Sequence, residues 1–285
     1  MTEGFIGRRN QGKGEMAFVD HLEELRWHIV RSLIAVLFFA ALIFIKIQWV
    51  FDNIISGPIN PDFISYRVIC NLSHKLGLGD GLCLAPVDVK MQTTTFGGQF
   101  FSSFSIAFVG GLIIAFPYIF WEFWRFVKPA LKPRELKGTR FVIFWISFFF
   151  FLGAAFGYFV LGPFTFNFLA TFQVSALNTV QTQPTINDYI DNLTNLILGC
   201  GIAYELPVLT YALTKVGIIT PHFLRRSRKY ALVILLVIAA IITPSPDWYS
   251  QTIVFLPLFG LYELGVYLSS RVYKREKQKE AEEWS

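Results

Sequence analysis

Glu205 is the residue most in need of a chemical explanation. It stands in Ile202-Ala203-Tyr204-Glu205-Leu206-Pro207, inside an apolar stretch. A carboxyl group in hydrocarbon is costly, so such groups face a protein interior or a water-filled cavity and commonly mark a functional path. Pro207 lacks an N–H and can kink a helix, freeing carbonyls for a partner. The alternative is a structural Glu bonded to a neighbouring helix. Glu263, in Leu261-Tyr262-Glu263-Leu264, is accounted for by snorkelling or by pairing with Arg271. Asp247 and Gln251 open another apolar run, where Asp247 can also serve simply as a helix cap. Glu24, Arg26 and Glu135 lie in polar stretches, and by charge alone each reads as a surface group. Carboxylates of this kind bind guanidinium groups through charge-assisted, often bidentate hydrogen bonds. No G-x-x-x-x-G-K-[ST], H-E-x-x-H or G-x-S-x-G pattern is present, so the sequence offers no phosphate loop, zinc-protease helix or nucleophile elbow. It reads as a non-enzyme without a cofactor.

The elements that must hold these residues are six apolar runs: Ser32–Phe51, Phe100–Trp121, Phe141–Gly162, Leu193–Thr214, Tyr230–Thr243 and Trp248–Leu268. About 20 apolar residues cross the roughly 30 Å of hydrocarbon in a bilayer. Backbone polar groups in lipid must be satisfied within the segment, which makes each run a helix. All of the 25 Lys and Arg except Lys46, Arg67, Lys75 and Lys90 lie before Ser32, in 122–140, in 214–229 or after Leu268. Basic loops stay in the cytoplasm. The fold class is therefore all-α and polytopic, with six transmembrane helices, both termini cytoplasmic and no soluble domain.

A chain that is 54% hydrophobic with 31 Phe is not a soluble domain; its solvent is the lipid bilayer. Its +5 charge is spread over short loops rather than gathered on one face, which argues against nucleic acid. Residues 1–15 read as a disordered tail, 16–270 as the membrane domain and 271–285 as a charged tail. Arg8-Arg9 is followed by Asn10-Gln11-Gly12-Lys13-Gly14 rather than an apolar core, so the pair reads as part of the tail and not as an export leader. Cys200 falls in the fourth run. Cys70 and Cys83 share the loop placed outside, where they are either a disulfide or two free thiols. With no further Cys pair or Cys/His cluster, a metal site is not expected.

Glu15–Arg31 is amphipathic at helical spacing and is expected to lie along the cytoplasmic interface before the first span. The first outside loop, about Asp52–Gln99, contains Pro58, Pro61 and Pro86. The second run contains Pro117. The third contains Gly153 and Gly157 at the spacing that lets helices approach closely. The fifth run is short: its residues rise only about 21 Å.

In these positions the sequence resembles the TatC family, the polytopic core of the twin-arginine protein translocase. His21-Leu22-Glu23-Glu24-Leu25-Arg26 resembles the family's H-L-x-E-L-R. Trp124-Arg125-Phe126-Val127-Lys128-Pro129-Ala130-Leu131, continuing to Glu135, resembles its first cytoplasmic loop. Tyr204-Glu205-Leu206-Pro207-Val208 resembles F-E-x-P-V, and Thr243-Pro244-Ser245-Pro246-Asp247 with Ser250-Gln251 resembles the turn into span six. The first outside loop is longer than the family pattern, Leu136 follows Glu135 where a basic residue is common, and Glu122 stands where an uncharged amide is common.

The resemblance implies a receptor for twin-arginine signal peptides in a bacterial cytoplasmic (inner) membrane, driven by the proton-motive force. It implies that Glu24, Arg26, Trp124, Phe126 and Glu135 bind the peptide, with Arg26 orienting Glu24. It also implies that Glu205, with Asp247 and Gln251, contacts small single-span Tat subunits of the TatA or TatB type. Pro58, Pro117 and Pro207 are then structural, and the receptor complex is a homo-oligomer. The other reading of Glu205 is the proton site of a small-molecule carrier, although no inverted repeat is visible.

Overall fold

No Gly or Pro interrupts Phe18–Ile45, and in the computed structural model these residues form one 28-residue helix, α1. The structure describes residues 18–75, 77, 79, 83, 90–128, 139–172, 183–244 and 248–283. The amphipathic segment is thus the first turns of α1 rather than a separate interfacial helix; its 3.6-residue periodicity continues into the apolar run with nothing to break it. A short helix α2 (Ile47–Val50) and a π-turn (Phe51–Ile55) carry the chain on to Pro58. Then α3 (Ile64–Lys75) fills part of the first outside loop, a stretch with no helix assigned from its residues.

Helix α4 (Gly98–Val127) is continuous through Pro117. Helix α5 (Thr139–Phe156) passes through a second π-turn, Gly157–Leu161, into α6 (Gly162–Thr171). The third apolar run therefore continues as helix beyond Gly162. Helix α7 (Ile186–Ala203) opens on a reciprocal cap between Thr185 and Asp188, which satisfies two of the donors every helix start leaves unpaired. Helices α8 (Leu206–Lys215), α9 (Pro221–Arg226) and α10 (Arg228–Ile242) follow. Helix α11 (Trp248–Glu283) runs far past Leu268, so residues 271–283 are helical.

Among the described residues, five stretches are long and apolar enough to cross a membrane: Leu22–Ile45, Gly98–Val127, Val142–Thr171, Ile186–Lys215 and Trp248–Gln278. The 15 residues of α10 rise only about 22 Å, short of the roughly 30 Å of hydrocarbon. Large apolar side chains point outward along the helices, among them Ile34, Phe38, Ile241 and Leu256, as expected where lipid is the solvent. Packing inside is set by small residues. A Cβ on Gly111 would lie 2.8 Å from the Ala40 nitrogen, and one on Gly157 2.5 Å from the Leu196 carbonyl. Helices α1 and α4, and α5 and α7, therefore pack nearly backbone to backbone.

At the end opposite the basic loops, three tyrosines tie down one turn. Tyr158 donates to the Ile54 carbonyl, Tyr189 to that of Ile55 (2.5 Å), and Tyr66 to that of Pro58 (2.8 Å). A π-turn shifts the helical bonding register, and the Tyr158 and Tyr189 hydroxyls supply donors to the carbonyls of its last two residues. Pro58 is buried there. Gln92 pairs with Thr185 and joins the two loops of this end.

Candidate functional site

Two acidic centres stand out. The first is built where α1 and α4 meet at the basic end. Glu122, one turn from the end of α4, is 1% exposed. Its carboxylate accepts from His28 Nδ1 at 2.5 Å and from Arg125 at 3.3 Å, the Tyr118 hydroxyl stands close by, and Arg31 lies 3.9 Å away. A buried carboxylate persists only with this kind of compensation. The His28 ring meets Phe126 edge-on at 6.2 Å, and its Nε2 lies 3.8 Å from Glu24. Arg125 also sits over the Trp121 ring, 5.2 Å from its centroid. Glu24 itself is half-exposed.

Several sequence expectations change here. Arg26 does not orient Glu24: it pairs with Glu23 at 3.3 Å and is exposed. Three residues along a helix bring Arg26 beside Glu23, whereas two place it away from Glu24. Glu24 turns instead to His28, four residues on. Sequence reasoning missed His28, Arg31 and Tyr118; the Glu24-x-x-x-His28-x-x-Arg31 spacing, which shares one helix face, was the available signal. Glu135 lies outside the described residues, as does Asp247. Glu263 pairs with Arg228 at 2.8 Å, not with Arg271, which sits over Tyr267 at 4.7 Å. Arg271 is eight residues on, about 12 Å along the same helix, while α10 brings Arg228 directly across.

The second centre is Glu205, at the break between α7 and α8. Its backbone makes a short i→i−3 bond to Ile202 (3.1 Å), and Pro207 follows at the start of α8. Pro207 has no N–H to give the Ala203 carbonyl, so the ladder breaks where the carboxyl sits. Glu205 Oε1 is buried with no hydrogen-bond partner. It lines an apolar cavity of about 340 Å³ formed by α4, α5 and α8, with Phe116, Phe120, Ile146 and Val208. Trp124 lines the same cavity, and its Nε1 is likewise buried without a partner. Trp124 and Glu205, assigned to separate contacts by the sequence, thus share one chamber, while Phe126 faces His28. Gln251 is committed elsewhere: its amide donates to the Leu236 carbonyl at 3.2 Å, joining α11 to α10.

In the opposite loop Cys70 and Cys83 form a disulfide. His74 Nε2 lies 3.8 and 3.5 Å from the two sulfurs, a cluster that the sequence reading overlooked. Both sulfurs are in the disulfide and neither is a thiolate, the form that binds metals.

The fold and the two centres define a multi-pass α-helical membrane protein with one compensated acidic centre at its basic end and one carboxyl in its apolar interior that keeps an unpartnered oxygen. Residues 20–257 match the family model described as Sec-independent protein translocase protein (TatC). The chain is 38% identical over 269 residues to TatC of Blattabacterium sp. subsp. Periplaneta americana, covering 93% of this chain and 98% of that one. It is 33% identical over 255 residues to TatC of Deinococcus radiodurans, covering 90% and 86%. The crystal structure of a twin arginine translocase receptor, TatC, superposes with a TM-score of 0.66 at 32% identity, covering 88% of this chain and 99% of that one. The chain belongs to the TatC family. It is a core component of the Sec-independent, twin-arginine protein translocase, and the small-molecule carrier reading of Glu205 is set aside.

Proposed function

We propose that the chain is the signal-peptide receptor of its translocase and acts without catalysis. In this reading both termini and the basic loops face the cytoplasm, α10 is a short sixth span, and the membrane is the bacterial inner membrane. Glu24 and Glu135 take the two adjacent arginines of a signal peptide. The observation that carries this reading is the difference among the acidic groups at the basic end. Glu23 has Arg26, Glu263 has Arg228 and Glu122 has four donors nearby. Among the described residues Glu24 has only an imidazole at 3.8 Å, and it is half-exposed, which leaves room for an incoming guanidinium.

Glu135→Gln is expected to weaken an Arg-Arg peptide more than its Lys-Lys version, because Lys gains less from bidentate geometry. Titration of purified protein with both peptides checks this. Equal losses would reduce the contact to generic charge attraction, and unchanged affinity in the Glu24→Gln, Glu135→Gln double variant would end the proposal.

The Glu205 cavity receives a polar group on the membrane helix of a small single-span Tat subunit, and several copies of this chain share one receptor complex. Two buried polar atoms without partners, Glu205 Oε1 and Trp124 Nε1, line the same apolar space. In lipid, a helix that supplies a hydrogen bond there has few competitors.

A further inference from the structure

We infer that Cys70, His74 and Cys83, with both sulfurs reduced, hold one thiophilic divalent cation of the zinc class, so that a metal closes the same loop that a disulfide closes in the oxidised chain. Cys70 and His74 are four residues apart on α3, which puts both on one face of the helix. Helix α3 ends at Lys75, and the Gly77 N–H donates to the His74 carbonyl at 3.2 Å. Gly77 and Gly79 hold φ of +73° and +58°, a left-handed backbone that glycine adopts without a clash. The buried Ser73 hydroxyl donates to the Gly79 carbonyl at 2.6 Å. These bonds turn the chain back along α3 toward Cys70, and none of them passes through sulfur.

The spacing of the three donor atoms fits a tetrahedral centre. With metal–sulfur bonds of about 2.3 Å and metal–nitrogen bonds of about 2.0–2.1 Å, such a centre holds sulfur and nitrogen about 3.6 Å apart. His74 Nε2 stands 3.8 Å from Cys70 Sγ and 3.5 Å from Cys83 Sγ. The imidazole is therefore already at ligand spacing from both sulfurs. With the S–S bond open, the sulfurs need to lie about 3.8 Å apart, a separation that rotation about each Cα–Cβ bond supplies. Two thiolates and an imidazole suit zinc-type ions; Ca²⁺ and Mg²⁺ take oxygen ligands instead. Three protein ligands leave a fourth position for water. His74 is exposed, so the ion enters from solvent. The binding step is M²⁺ plus two thiols giving the dithiolate complex plus two H⁺, with no change of oxidation state. A chain is synthesised with thiols, so this form needs no reductant to arise. Metal and disulfide exclude each other, because a sulfur bonded to sulfur is not a thiolate.

The test uses the full-length chain in detergent, without a polyhistidine tag. One sample stays oxidised. The other is reduced with a phosphine, which with water converts the disulfide to two thiols and itself becomes the phosphine oxide; excess phosphine is then removed. Cd²⁺ is the probe, followed by equilibrium dialysis and by sulfur-to-cadmium charge-transfer absorption. The reduced wild type should bind one Cd²⁺ per chain, displaceable by Zn²⁺, and the oxidised wild type none. His74→Ala should weaken the reduced site by roughly 10–100-fold or more, since loss even of a group that only supports a metal ligand costs that much. The Cys70→Ser, Cys83→Ser double variant, which keeps the buried Cys200, should show no charge-transfer band. A reduced wild type that binds no Cd²⁺ overturns the inference. So does an oxidised wild type that binds as tightly as the reduced one; both comparisons are made on the unaltered chain and need no variant to fold. A His74→Ala chain with wild-type affinity, or a double variant that keeps the band, also overturns it.

Discussion

The two acidic centres meet the same physical problem in opposite ways. Glu122 is almost fully buried, yet Tyr118, His28, Arg125 and Arg31 surround its carboxylate. Glu205 is only half-buried as a whole residue, yet one of its oxygens is buried without a partner and the side chain lines an apolar cavity shared with Trp124. A buried polar group that is satisfied contributes to holding helices in place, whereas one left unsatisfied costs about 1–3 kcal/mol. That cost is removed when a partner brings the missing bond. The comparison fits an architectural role for Glu122 and, under the proposed function, a role in association for Glu205.

The largest expected effect is at Glu122. Glu122→Ala leaves the buried His28 ring without its acceptor, while the half-exposed Arg125 can turn to solvent, and should destabilise the protein by about 1–3 kcal/mol, the cost of a buried polar group left unsatisfied. Thermal unfolding in detergent measures it. Glu122→Gln keeps an acceptor and should cost much less. If Glu122→Ala unfolds at the wild-type temperature, Glu122 is not architectural and the comparison collapses.

Glu205→Leu tests the other half. It deletes an unpartnered polar atom and adds an apolar group to an apolar wall, so stability should be unchanged or higher by about 1 kcal/mol. Crosslinking to a small single-span Tat subunit and export of a folded substrate should both fall away. Glu205→Gln should be milder, since an amide still offers hydrogen bonds. A Glu205→Leu protein that is unstable but exports normally once enough is made would show Glu205 to be structural after all.

These contrasts also show how far the sequence could be read. The apolar runs and the uneven spread of Lys and Arg mark the membrane helices because lipid selects for composition. Composition does not tell where a helix stops once it leaves lipid. Nothing between Phe18 and Ile45 breaks a helix, so α1 absorbs the amphipathic segment; α11 likewise continues to Glu283. The acidic residues were visible as anomalies, but their partners were not. Arg228 reaches Glu263 from another helix, and the pairing of His28 with Glu122 spans 94 residues. Such contacts depend on helix packing, which here rests on glycines such as Gly111 and Gly157. The spacing of Gly153 and Gly157 was legible; the face it would bring together was not.

A smaller effect separates the contributions within the first centre. Tyr118→Phe removes a hydroxyl that stands beside Glu122 while His28 and Arg125 remain. The expected loss is about 1 kcal/mol, the net worth of one ordinary hydrogen bond. A loss as large as that of Glu122→Ala would mean that the tyrosine, not the charged groups, holds the carboxylate.

The smallest expected effect on stability is the most informative about the cavity. Trp124 Nε1 is buried without a partner, so replacing the indole by a benzene ring discards an N–H that bonds nothing. Trp124→Phe also enlarges a cavity that is already present, by less than a full side chain. The two changes oppose each other, and the unfolding temperature should move by no more than the equivalent of about 0.5–1 kcal/mol. If the chamber awaits a polar group from a partner helix, the indole N–H is one of two bonds on offer, and crosslinking to the small subunit should drop only in part. Combining Trp124→Phe with Glu205→Leu should then add little to the loss already produced by Glu205→Leu, because residues that serve one contact are not additive. Fully additive losses would place Trp124 in a different contact from Glu205 and return it to the signal-peptide surface that the sequence assigned to it.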